Sequence, residues 1–197
     1  MNKNIYELQK LVPTKIYFGE NSSYQLIDLL EKLSTSRLLI IGSKRSLKDT
    51  FLSDIIKKIK KKINIFTFNK VTENPSIRMS DECYQIFKNE KIDTLLGIGG
   101  GSALDLSKAV ALSLDRQKLT SDLIYGSITD VPRKITLILI PTTSGTGSEL
   151  SFGSILTDEN NKIKKGLRGK VIAANHAIID PKLTYSLPMK NTMITGF

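Results

Sequence analysis

Between an apolar stretch at residues 135–140 and Leu150 stands the run Pro141-Thr142-Thr143-Ser144-Gly145-Thr146-Gly147-Ser148-Glu149. Its hydroxyls and glycines leave almost no side-chain bulk. Glycine lets a backbone approach closely and take positive φ, while Ser and Thr hydroxyls both donate and accept, which suits phosphate, ribose or amide groups. A second segment of the same kind, Gly99-Gly100-Gly101-Ser102, follows the apolar residues 94–98 and opens a helical pattern. There the unpaired amides of a helix N-terminus and its dipole fit a pyrophosphate. Asp105 can cap the first turn or accept from a sugar or amide, and Lys108 sits one turn further on.

The glycine turn does not match the Walker pattern, because no Gly-Lys-Ser/Thr ends it, nor does it match Gly-x-Gly-x-x-Gly. Alone, it fits either a nucleotide site or a turn that merely packs a helix against a sheet. The second Gly/Thr/Ser run tips the reading toward a nucleotide.

The elements that must position these turns alternate along the chain. Strands are expected at residues 15–18, 38–41, 63–68, 94–98 and 135–140, and helices at 22–33, 46–62, 76–89 and 103–114. The helix at 22–33 carries Leu26, Leu29, Leu30 and Leu33 at helical spacing, and the one at 46–62 carries Leu47, Phe51, Ile55, Ile56 and Ile59 on one face. Continuous apolar strands separated by helices imply a doubly wound α/β fold with a mostly parallel, Rossmann-like sheet. Ligands bind such sheets beyond the carboxyl ends of the strands, where both turns lie. Residues 117–133 read as a polar surface loop. After residue 150 a strand at 150–157, a turn at Asp158-Glu159-Asn160-Asn161 and a partner at 163–167 form a short β-hairpin, and 177–180 leads into Pro181.

The chain has 197 residues, 40% hydrophobic and 24% charged, an ordinary globular composition. Its lone Cys83 rules out an internal disulfide framework. No apolar stretch approaches the ~20 residues that span a bilayer, and the start of the chain, with Lys3, Glu7 and Lys10, has no signal-peptide apolar core. The expectation is a cytoplasmic protein without a membrane partner. The net charge of +10 gathers in Lys57-Lys58-Ile59-Lys60-Lys61-Lys62 and in residues 162–170, with Lys162, Lys164, Lys165, Arg168 and Lys170. The first group is a solvated helix end that complements the helix dipole. With no Trp to stack bases, no nucleic-acid partner is expected. The second group stays open as a ligand contact.

With both turns placed, the chain resembles the iron-containing, or group III, alcohol dehydrogenase family. The resemblance rests on Gly99 to Lys108, on Ile140 to Glu149, and on Ile179-Asp180-Pro181-Lys182-Leu183-Thr184 with Leu187-Pro188, with Asn74-Pro75-Ser76 as a weaker motif. It implies an NAD(P)-dependent dehydrogenase with an N-terminal α/β cofactor domain and a helical C-terminal domain that holds a divalent metal, iron or zinc. By position, Gly100, Gly101 and Ser102 hold the pyrophosphate, while Asn74, Asp105, Thr142, Thr143, Thr146 and Ser151 surround the ribose and nicotinamide half. Lys164 and Leu183 also line the cofactor. The whole Pro141–Glu149 run favours the alcohol dehydrogenase branch over glycerol dehydrogenase or dehydroquinate synthase, with phosphonoacetaldehyde reductase-like members one option within it.

Two departures follow. Where NAD-preferring members carry an acidic residue after the second strand, this chain has Ser43-Lys44-Arg45, which leans the expectation to NADP over NAD. The family's metal ligands, an aspartate and three histidines, begin just after a Thr-Gly-x stretch, and the sequence reaches Thr195-Gly196-Phe197 there. His176 lies outside that pattern and reads as structural. Residues 1–190 are therefore expected to be the cofactor domain and 191–197 the start of a truncated metal-binding domain, with apolar surface exposed and no turnover by this chain alone. The substrate implied is an alcohol or aldehyde, and a homodimer is the assembly to look for. The competing reading is a non-catalytic nucleotide-binding module that acts through a partner.

Overall fold

The computed structural model describes residues 12–48, 50–60, 62–185 and 187–196. Lys3, Glu7, Lys10, Lys61 and Phe197, each named above, lie outside them, as does the side chain of Phe51. The strands are β1 (Lys15–Phe18), β2 (Arg37–Gly42), β3 (Asn64–Phe68), β4 (Thr94–Gly99), β5 (Thr136–Pro141), β6 (Gly153–Asp158), β7 (Ile163–Arg168) and β8 (His176–Ile179). The helices are α1 (Gln25–Lys32), α2 (Thr50–Ile59), α3 (Ile77–Phe87), α4 (Gly101–Arg116), α5 (Thr120–Tyr125) and α6 (Met189–Gly196).

Six strands form one parallel sheet in the order β1-β8-β5-β4-β2-β3, and β6 and β7 form an antiparallel hairpin. Because successive strand residues point to opposite faces, an apolar strand of a parallel sheet feeds two cores at once. Leu39, Ile41, Leu95, Leu137 and Leu139 pack against α3 and α4. Leu38, Ile40, Leu96, Ile98, Ile138 and Ile140 pack against α1 and α2. Helix α4 is buried along most of its length, from Ala103 to Ser113. Gly97, in the middle of β4, lets it approach so closely: a Cβ there would lie 2.7 Å from both Leu139 Cδ2 and Ser107 Cβ.

Several boundaries differ from expectation for local reasons. The stretches at 22–33 and 46–62 each open with a 3₁₀ turn, Ser22–Tyr24 and Ser46–Lys48, before the α-helix begins. Strand β6 starts at Gly153, because residues 148–151 form a turn in which the Leu150 amide donates to the Gly147 carbonyl at 3.1 Å. The expected surface loop at 117–133 contains α5. Asp81 Oδ1 on α3 accepts from the Thr120 amide at 2.6 Å and the Ser121 amide at 3.2 Å, so the helix is capped from a distant residue. The Thr120 hydroxyl is buried between Ser80 and Ser113, at 2.6 Å from each. A polar composition thus hides a packed helix.

Candidate functional site

The carboxyl ends of β2, β4 and β5 meet the N-terminus of α4. Gly99 takes φ +142°, a conformation L side chains rarely adopt, and turns the chain into the helix. Gly100 is the N-cap and offers no side chain, so the first amides of α4 face outward with the dipole behind them. The Pro141–Glu149 run folds over this turn, with the Thr142 amide donating to the Gly99 carbonyl at 2.9 Å. The fit is tight. A Cβ on Gly100 would stand 3.4 Å from Thr143 Oγ1, and one on Gly101 3.0 Å from Thr146 Cγ2. Among the described residues Thr143 Oγ1 is buried with no hydrogen-bond partner.

A cleft of about 750 Å³ runs from Ser43 and Arg45 past Gly100, Gly101 and Ser102 to Thr142, Thr143 and Leu183. A second, of about 640 Å³, shares Asn74, Gly101, Ser102 and Thr146 with it and continues to Asp105, Ser151, Lys164 and Arg168. All twelve residues expected at the site, Ser43, Asn74, Gly100, Gly101, Ser102, Asp105, Thr142, Thr143, Thr146, Ser151, Lys164 and Leu183, line one cleft or both.

Local bonding fixes most of them. Ser43 closes a small loop at the end of β2, its amide donating to Ser46 Oγ at 2.9 Å and its Oγ accepting from the Ser46 amide at 3.1 Å. Asn74 has φ +51° and accepts from Lys164 Nζ at 3.0 Å. The next residue, Pro75, accepts from the Thr157 amide at 2.9 Å, which ties the hairpin down beside the glycine turn. Leu183 sits on a 3₁₀ turn whose first residues are capped by Asp180, and the buried Asp180 carboxylate also accepts from the Ser23 amide at 3.2 Å. The Asp-Pro motif is thus an anchor that carries Leu183 to the cleft.

Asp105 does not cap α4. Its carboxylate accepts from the Ile155 amide at 3.0 Å, from Ser148 Oγ and from Lys108 Nζ at 3.3 Å. Lys108 is wholly buried and donates to Ser148 Oγ (3.0 Å), Ser151 Oγ (2.8 Å) and the Gly153 carbonyl (2.7 Å) as well. Burial lowers its pKa, opposed by the charges of Asp105 and Glu149. The Asp105/Lys108 spacing is visible in the sequence but this role is not, because the three further acceptors come from a turn 40 to 45 positions away.

The basic stretch at 162–170 is divided by strand alternation. Lys164 and Arg168 face the cleft, whereas Lys165 points away and stands 3.8 Å from the centre of the Tyr125 ring. His176 lies on β8 with Nδ1 3.4 Å from the Tyr17 hydroxyl, and burial lowers its pKa. Among the described residues no three His, Cys, Asp or Glu side chains converge as metal ligands, so these residues do not build the metal centre that the resemblance implies.

The orphaned Thr143 hydroxyl and the side-chain-free turn leave a donor and open backbone amides facing the cleft. Choline dehydrogenase of Bacillus subtilis is 31% identical over 100% of this chain and 50% of its own length. The solved iron-containing alcohol dehydrogenase of Thermotoga maritima superposes with a TM-score of 0.82 at 34% identity, over 94% of this chain and 51% of that one. Sulfoacetaldehyde reductase from Bifidobacterium kashiwanohense, solved in complex with NAD+, gives a TM-score of 0.84 at 27% identity, over 94% and 49%. The chain spans about half the length of the relatives it matches. Since the family described as iron-containing alcohol dehydrogenase also matches residues 13–181, the chain belongs to that family.

Proposed function

We propose that the chain binds a nicotinamide dinucleotide and serves a hydride transfer between that cofactor and an alcohol or aldehyde. One observation carries the cofactor assignment: two turns pressed together so closely that a Cβ on Gly100 or Gly101 would crowd Thr143 or Thr146, with a buried hydroxyl left unpaired between them. The amides after Gly100 would take the pyrophosphate, with the Thr143 hydroxyl within reach of it. Ser43 marks the adenosine end, so the nicotinamide half would lie toward Thr142, Thr146, Ser151 and Lys164. Because Ser43-Lys44-Arg45 offers cations and no carboxylate, a 2′-phosphate is accepted and NADP is preferred over NAD.

A divalent metal supplies Lewis-acid polarisation of the alcohol oxygen when it is bound in enzymes that use one. No ligand set for it converges among the described residues, so we propose that this chain by itself binds cofactor without turnover. The single cysteine, buried, is consistent with a reducing compartment such as the cytoplasm.

The test is a fluorescence titration with NADPH and NADH, followed by dehydrogenase assays on short alcohols and aldehydes with iron or zinc added. Saturable binding, tighter for NADPH, and no turnover are the expected results. Failure of both cofactors to bind would overturn the assignment, and turnover would overturn the second proposal.

A further inference from the structure

The wall of the cleft formed by the hairpin carries a feature that the cofactor assignment does not use. Arg168 ends β7, lies exposed, and lines the same cleft as Lys164, Ser102, Thr146 and Ser151. Among the described residues its guanidinium makes no hydrogen bond or ion pair, although Arg37, Arg78, Arg116 and Arg133 all have acceptors. The residue paired with it across the hairpin is Gly153, and Gly166 lies between it and Lys164 on the same face. Neither glycine puts a side chain in its way.

Charge in this part of the cleft is unbalanced. The one carboxylate that lines it, Asp105, is turned to the Ile155 amide and Ser148 and is neutralised by the buried Lys108. Among the described residues Lys164 has only the neutral Asn74 oxygen at 3.0 Å, and Arg168 has no acceptor. Two cations therefore face one concave, partly apolar space that Ile155, Leu156 and Phe152 help to line. Guanidinium groups bind planar or tetrahedral oxyanions through paired N–H donors and stay charged at any working pH.

We propose that Arg168, helped by Lys164, is a specificity determinant that recognises an acid group on the substrate: this chain serves alcohols or aldehydes bearing a sulfonate, phosphonate or carboxylate. The inference rests on the cofactor assignment, because it takes the Arg168 end of the cleft as the substrate end. It lies across the glycine turn from Ser43 and Arg45, where a cofactor 2′-phosphate would sit.

The experiment is an NMR titration of the 15N-labelled full chain, reading the arginine Nε–Hε signals, with ethanesulfonate, ethylphosphonate and the uncharged propan-1-ol, with and without NADPH. Arg168 is exposed, so Arg168→Gln is expected to fold, which the amide spectrum checks. Saturable shifts of the signal that Arg168→Gln removes are expected with both anions and not with the alcohol. Arg168→Gln should weaken anion binding at least about tenfold while NADPH affinity stays within about twofold, in line with loss of a charge-assisted pair. Equal anion binding by both proteins overturns the proposal, as does an equal loss of NADPH affinity, which would give Arg168 to the cofactor. Because the anions are also titrated without NADPH, failure of the cofactor to bind beside a working anion site removes only the cofactor assignment.

Discussion

Lys108 shows how much one side chain can organise. A buried ammonium is stable only when its protons meet acceptors, and here it meets a carboxylate, two hydroxyls and a carbonyl. It thereby fixes the turn that carries Ser148 and Ser151 onto α4. Replacing it by methionine leaves Asp105 without its counter-ion, and Lys108→Met should cost about 3–5 kcal/mol in urea unfolding. Adding Asp105→Asn should recover part of that loss, since the two residues share one network. A cost below 1 kcal/mol, the size of an exposed ion pair, would show that the network does not hold the turn. At this scale the sequence was informative about residue types. The glycines, threonines and Asn74 stand out by what they lack or expose, and the fold brings them to the two joined clefts. The partners of Asp105 and Lys108, and the anchoring role of Asp180, depend on distant segments and leave no local pattern.

Elements with a strong period were legible, and those held by specific polar contacts were not. The central strands β2, β4 and β5 declare themselves as apolar runs because both faces are buried. Helix α5 could not, since what sustains it is Asp81 on another helix and a buried hydroxyl cluster. The hairpin turn after β6 is also built on one carboxylate. Asp158 accepts from the amides of Asn160 (3.0 Å) and Asn161 (3.1 Å), from Asn161 Nδ2 (2.8 Å) and from the Tyr125 hydroxyl. These donors, that of Tyr125 first, hold its pKa down to about 2. A carboxyl depressed in the fold from its unfolded value of about 4 adds stability that is complete above that value and vanishes as pH falls through the folded one. Thermal unfolding of wild type and Asp158→Asn should therefore differ by a constant margin above about pH 5, and the margin should close between about pH 4 and pH 2. A margin independent of pH would mean that shape, not charge, holds the turn.

Across the whole molecule, the two clefts join into one passage along the carboxyl ends of the sheet, and α6 with the residues before it leaves Tyr185, Met189, Met193 and Ile194 exposed, Ile194 lining the passage. Membership of the family and the doubly wound class were both visible in the order of motifs. The strand order was not, because apolar runs do not say which neighbour they take. That order has a consequence for how the chain is made. Among the described residues strand β1 pairs only with β8, joining Lys15 to His176 and Phe18 to Ile179. Strand β1 must therefore wait, its backbone donors unmatched, until β8 has been made some 160 positions later, while β2, β3 and β4 can already assemble. Nascent chains arrested before residue 176 should be cut readily by protease at residues 15–18, and chains arrested after β8 has cleared the exit tunnel should keep them.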